Sequence, residues 1–351
     1  MIIATGLLLS GLFSVQAVLA QDMSSREFFS MDTYMTLQAW GEEAAQALDE
    51  AEAEVKRLEL LLDAQDENSE VAALNAKGKA SVSEDTVYLI RRAQELSWKT
   101  DGAFDITVYP LMKAWGFPTR EFRIPEQAEL EALLPLVDPF LIELSSPNEV
   151  AFLRPGMEIE LGAIAKGYAS QRIMAIFAAH NVQGVVSLGG NVQTLGKKPD
   201  GQPFRVGIRM PSPGDEKSGV MWLPADDPDI KAAMDAGLLG VLESSGDAVI
   251  TSGLYERYFV KDGTLYHHIL DPETGCPARS DLVSVTIVCD DGTTADAYAT
   301  ALFVMGREKA EEFWRGNKDF DMILLDAEGH LIITPGLEER FQSPMTCSVV
   351  E

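Results

Sequence analysis

Ser284-Val285-Thr286-Ile287-Val288-Cys289 is a run of β-branched residues, soon followed by Thr294-Ala295-Asp296-Ala297-Tyr298-Ala299-Thr300-Ala301-Leu302-Phe303-Val304-Met305, a small and apolar stretch of helical character. A second short β run, Met322 to Leu325, comes next. The same alternation stands earlier in the chain, where helical Ala165 to Ala179 precedes Val182 to Leu188. β-branched runs of strand length alternating with helical stretches predict a mixed α+β protein from Gly156 onward.

Working outward, the N-terminal part reads as more helical. Between Glu42 and Asp63 the apolar residues Leu48, Ala51, Val55, Leu58 and Leu62 fall on one face of an amphipathic helix. A second helix is predicted from Glu84 to Thr100, opened by Ser83 as N-cap and closed by Asp101-Gly102. The division is thus a helical part over about 21–150 and a sheet-rich part over about 151–351. Pro, Gly and Asp gather after Met210, and the segment 210–246 is expected to be a surface insertion.

The chain has 351 residues, 46% of them hydrophobic, enough for a well-buried core in one or two domains. Met1 to Ala20 carry no charge and end Val18-Leu19-Ala20, which reads as a signal peptide. The lack of Lys or Arg near its start leaves an uncleaved N-terminal anchor as the alternative. No later stretch approaches the ~18 consecutive apolar residues of a membrane span. Cys276, Cys289 and Cys347 are too widely spaced for a metal-ligand pattern. With 28 basic and 55 acidic residues the net charge is −27, so nucleic-acid binding is disfavoured. The same charge repels any polyanionic substrate, and a phosphate site here must bring local cations or a metal.

Three motifs carry chemistry. In Asp291-Gly292-Thr293-Thr294-Ala295-Asp296, Thr293 or Thr294 is the expected cap, with Asp296 in the first turn and Thr300 four residues on. A carboxylate and a hydroxyl on one face suit Mg²⁺, although Asp296 also serves simply as an acid complementing the helix dipole. Glu160-Leu161-Gly162-Ala163-Ile164-Ala165-Lys166-Gly167 combines small residues with a lysine, a pattern equally suited to tight packing or to a ligand held near a helix start. Tyr266-His267-His268 stands before an Asp271-Pro272-Glu273-Thr274-Gly275 turn. Histidine suits proton transfer near neutral pH, and on a strand the two rings face opposite ways, so at most one enters a given site.

Taken in order, these segments resemble the FAD:protein FMN transferases, the ApbE-like flavin transferase family. The resemblance runs through Met31-Asp32-Thr33, Ser69-Glu70, Asn75, Gly102-Ala103-Phe104-Asp105, Glu160 to Ala169, Ser187-Leu188-Gly189-Gly190-Asn191, Thr251-Ser252-Gly253, His268 to Pro272 and Ala295 to Thr300. It implies a T-fold-like α+β architecture, a single catalytic domain over 21–351, FAD as donor, and an acceptor flavoprotein of a respiratory or extracellular electron-transfer system. By position it places Met31, Ala103, Phe104, Asp105, Glu160, Lys166 and His267 at FAD, and Asp296, Thr300 and the backbone oxygen of Ala163 on Mg²⁺. His268 is the residue it implies for deprotonating the acceptor hydroxyl. The N-terminal segment for its part implies an exported, periplasmic protein, anchored to the inner membrane and associated with its surface if the segment is uncleaved.

This chain departs from the family pattern in three places. Glu160 stands where many relatives carry Asp, Gln65 where an aromatic residue flanks the flavin, and the 210–246 segment is longer. Two other functions fit the same motifs: a Mg²⁺-dependent FAD pyrophosphatase, and a non-catalytic periplasmic flavin-binding protein.

Overall fold

A computed structural model describes residues 23–351 except 146, 213, 216–219 and 225–226. The expected signal segment lies outside the described residues. Among those described, a nine-stranded sheet runs in the order Met23–Ser30, Thr33–Trp40, Gln183–Leu188, Asn191–Leu195, Ala248–Gly253, Leu282–Cys289, Asp321–Asp326, Leu331–Ile333 and Cys347–Val349. Every neighbouring pair is antiparallel except the last. The α+β class is the one that the sequence predicts, and the sheet is antiparallel-rich.

The order shows why the quoted stretch governs the fold. All eight residues of Leu282–Cys289 are buried, because this strand sits inside the sheet with both faces covered. Val285 and Ile287 face the helices, while Val283 and Val288 face a second layer. On the neighbouring strands the alternation is regular: Ala248, Ile250, Met322 and Leu324 turn to the helical side, and Val249, Ile323 and Leu325 to the other. Full burial of each such Ile, Leu or Val contributes roughly 1.5–3 kcal/mol.

The helical layer comprises Ala44–Leu62, Gly162–Ala179 and Gly292–Met305, with Glu84–Lys99 beside the last two. Leu48, Ala51, Val55, Leu58 and Leu62 are all buried, as their spacing predicts. Ser83 caps the Glu84–Lys99 helix by accepting from the Thr86 N–H. On the other face lies a three-stranded sheet of Phe204–Arg209, Leu238–Ser244 and Phe341–Gln342.

Two expectations are corrected. The N-terminal part is not only helical, because Met23–Ser30 and Thr33–Trp40 form one edge of the main sheet. The 210–246 segment is not only surface loop: it contains the helix Pro228–Ala236, with Ile230 and Ala233 buried, and the strand Leu238–Ser244 at the centre of the second sheet. Pro and Gly marked its beginning, but the apolar residues behind them build a layer. Among the described residues no helix is long and apolar enough to cross a membrane.

Candidate active site

The Gly162–Ala179 and Gly292–Met305 helices bring their N-terminal turns together because no side chain separates them. A Cβ on Gly167 would lie 2.1 Å from the Gly292 carbonyl oxygen, and one on Gly292 would lie 2.6 Å from that of Gly167. Tight packing and ligand contact, open alternatives for this segment in the sequence, therefore divide between neighbouring residues. Gly167 makes the close approach, while Gly162, Ala163 and Lys166 line a cavity of about 1110 Å³.

Asp296 and Thr300 reach the same cavity from the other helix. Asp296 is 5% exposed. Its Oδ2 accepts the Gly167 N–H at 2.8 Å, and its Oδ1 accepts from Asn191 Nδ2 at 3.0 Å. Burial holds this carboxyl above the usual carboxylate range, opposed by the Lys166 charge and these two hydrogen bonds. Thr300 Oγ1 lies 3.3 Å from Ser252 Oγ on the Ala248–Gly253 strand. The cap of this helix is Asp291, whose side chain accepts from the Thr293 N–H, not Thr293 or Thr294. Asp296 therefore sits two to three residues deeper than expected, in the second turn, at the contact between the helices.

Glu160 and Asp105 stand on the same wall. Glu160 Oε1 accepts the Gly162 N–H at 2.7 Å, and burial pushes its pKa up against that bond. Asp105 caps a short turn, accepting from the Thr107 N–H at 2.7 Å and its Oγ1 at 2.6 Å. Burial pushes its carboxyl up to about 6 despite those donors. Met31 and Ala103 also line the cavity, and Phe104 reaches its wall from the core, where it is fully buried. The Gly189-Gly190 turn closes another side, with φ of +65° and +103°, a backbone that glycine adopts freely.

The two histidines part company. His268 lines the cavity, and its Nδ1 lies 3.2 Å from the Arg257 carbonyl oxygen. A carbonyl only accepts, so Nδ1 carries the proton and Nε2 keeps its lone pair. Desolvation, followed by the charge of Arg257, pushes the His268 pKa down to about 3. His267, expected at the donor site, is instead a core residue. It is 6% exposed, its Nε2 donates to the Ala278 carbonyl at 3.1 Å, and its ring stands edge-on to Phe303. The strand alternation limited the pair to one site residue, and the structure selects His268.

The oxygen donors of Asp296 and Thr300, with a backbone oxygen available only from Ala163, fit a hard divalent cation. Among the described residues no group of three or more His, Cys, Asp or Glu could hold a metal. A cation held here would have one carboxylate, that of Asp296, among the protein ligands, and would need further ligands from outside the protein.

A family model described as the ApbE family matches residues 31–324. The chain belongs to the ApbE family. It is 34% identical over 296 residues to a FAD:protein FMN transferase of Klebsiella pneumoniae (strain 342), covering 83% of this chain and 85% of that one. A Treponema pallidum (strain Nichols) protein of the same name is 32% identical over 312 residues, covering 84% and 81%. Among solved structures, the ApbE protein of Thermotoga maritima superposes with a TM-score of 0.76 at 32% identity, over 88% of this chain and 96% of that one. The apo flavinyl transferase ApbE of Pseudomonas stutzeri gives 0.75 at 26% identity, over 88% and 92%. The curated relatives are transferases by name, so this ApbE-family chain is an enzyme of a transferase family.

Sequence reasoning missed the cations of this ApbE site. Arg120, Arg209 and Arg257 all line the cavity, with Asp32 among them. The charge argument demanded local cations, yet these arginines lie in no shared motif, and Arg120 and Arg257 meet only in the fold, through Asp32. Gln65 does line the cavity, as its place in the family pattern implies.

Proposed function

We propose that this protein transfers FMN from FAD to a Thr or Ser hydroxyl of an acceptor flavoprotein and releases AMP. The observation that carries the reading is the convergence of Asp296, Thr300, Lys166 and His268 on one cavity of about 1110 Å³, roomy enough for a dinucleotide. In a protein of net charge −27, that cavity also gathers Arg120, Arg209 and Arg257 beside Lys166.

Asp296, Thr300 and the Ala163 carbonyl are the residues that would hold Mg²⁺, which when bound supplies charge neutralisation and Lewis-acid polarisation at the phosphates. Lys166 adds a fixed positive charge beside them. His268 Nε2 takes the proton of the acceptor hydroxyl as the hydroxyl oxygen bonds to the FMN phosphorus. The bond from that phosphorus to the bridging oxygen breaks, and AMP leaves with the oxygen. A ring held near pKa 3 by burial and by Arg257 is a weak base. Negative phosphates beside Arg257 and Lys166 offset that effect, so the donor itself raises the proton affinity of His268.

The protein acts outside the cytoplasm, in the periplasm, with the apolar N-terminal segment directing export and, if retained, holding it at the membrane surface. The acceptor belongs to a respiratory or extracellular electron-transfer system. Incubation with FAD and Mg²⁺, with and without an acceptor domain, tests the reading. Flavin retained on the denatured acceptor supports transfer. FMN freed to solution without acceptor supports a pyrophosphatase, and FAD bound but unchanged supports a flavin-binding protein. N-terminal sequencing of the mature protein from a periplasmic fraction tests the location.

A further inference from the structure

The hairpin between Met23–Ser30 and Thr33–Trp40 turns through Met31 and Asp32 alone, since Ser30 pairs with Thr33. Both turn residues have positive φ, 49° and 59°. Such a two-residue turn is ordinarily met by Asn-Gly, and a non-glycine pair there is strained. Arg120, with φ of 61°, is a third non-glycine residue in left-handed backbone, and all three line the cavity. Three further non-glycine residues with positive φ, Asp101, Asn181 and Asp262, lie away from the cavity, so what sets Asp32 apart is its charge partners.

Asp32 lies between two guanidiniums from distant parts of the chain. Its Oδ2 accepts from Arg257 Nη2 at 3.0 Å and from Arg120 Nη2 at 3.5 Å. The side chains are 53%, 51% and 75% exposed for Asp32, Arg257 and Arg120. Ion pairs so open to water add little stability and exchange readily. A carboxylate and a phosphate present the same kind of oxygen pair to a guanidinium, so they compete for it. Arg257 also bonds His268 Nδ1 through its carbonyl, so its guanidinium sits on the residue that fixes the base.

We propose that Asp32 is a resident counter-anion: it occupies Arg257 and Arg120 in the ligand-free protein and is displaced by the paired phosphates of the donor. The proposal rests on the donor reading above. It makes Asp32 a specificity-determining residue that weakens capture of phosphates in general, so that a ligand must replace its charge on both arginines to bind.

The test compares wild type, Asp32→Asn and Asp49→Asn in magnesium-free buffer. Asn accepts left-handed backbone as readily as Asp, so the turn is kept. Asp49 is a control that removes one charge from a surface pair with Arg26, 2.5 Å away and outside the cavity. FAD binding is read from flavin fluorescence and inorganic pyrophosphate binding from calorimetry, at about 20 mM and about 300 mM salt. Asp32→Asn is expected to bind both ligands about three- to tenfold tighter at low salt, with the gain shrinking at high salt, and Asp49→Asn to match wild type. Unchanged or weaker binding of pyrophosphate by Asp32→Asn overturns the proposal, as does a gain that salt leaves untouched or that Asp49→Asn reproduces. If FAD binds none of the three proteins even when Mg²⁺ is added back, the donor reading fails, and the pyrophosphate comparison still decides the role of Asp32.

Discussion

The contact between the Gly162–Ala179 and Gly292–Met305 helices and the mouth of the cavity are held in opposite ways. At the contact, backbone meets backbone at Gly167 and Gly292, and the buried Asp296 carboxylate ties one helix to the other through the Gly167 N–H. At the mouth, Asp32, Arg120 and Arg257 meet through exposed charges, with Asp32 and Arg120 in left-handed backbone. Close packing admits one arrangement, because a shift of even one methylene is felt. Exposed ion pairs admit several at little cost. The groups that must keep their geometry therefore stand in the packed region, and the groups that must let a ligand pass stand at the mouth.

Asp296→Ala strikes the packed region hardest. Flavin transfer is expected to fall to background while circular dichroism still reports a folded chain, and full activity in this variant would remove the metal role altogether. The loss of two buried hydrogen bonds should also cost about 1–3 kcal/mol, measurable by urea denaturation. His268→Ala comes next. FAD binding by fluorescence should persist, but transfer should slow by about 10²-fold or more. Wild-type rates would return His268 to a structural role and leave the cavity without its base.

Gly167→Ala tests whether the packing itself sets the site. Its Cβ would meet the Gly292 carbonyl oxygen at 2.1 Å and the Asp296 Cβ at 2.7 Å, so the helices must part. A stability loss of about 2–3 kcal/mol, with a matching loss of transfer, is expected. A neutral result would mean that the helix contact yields as easily as the mouth.

The smallest effect concerns His267. Burial lowers its pKa to about 4 in the folded chain, below the ordinary value of 6.5, so the unfolded chain binds the proton more tightly. Stability is therefore full above about pH 6.5 and declines as pH falls toward 4, by about 2 kcal/mol at pH 5. Urea midpoints at pH 7 and 5 should differ less in His267→Gln than in wild type. An equal difference would show that another group sets the acid sensitivity.

What was legible in the residues followed from local rules. The Ala44–Leu62 helix was readable because one buried face imposes a spacing of three and four. Lys166, Asp296 and Thr300 were readable because their motifs place chemistry at helix starts. His267 was misplaced because a strand shows that neighbours face apart without showing which face holds the ligand. The cap at Asp291 was missed because two threonines and an aspartate in succession all qualify as caps.

The sequence by itself determined the α+β class, the family and several of the residues that line the cavity, since strand and helix periods and short motifs are written within a few residues of one another. Only the tertiary structure decided that Gly167 and Gly292 touch, that His268 rather than His267 faces the cavity, and that Asp32, Arg120 and Arg257 converge. Those are contacts between residues far apart in the chain, and they depend on how the layers pack rather than on any local pattern.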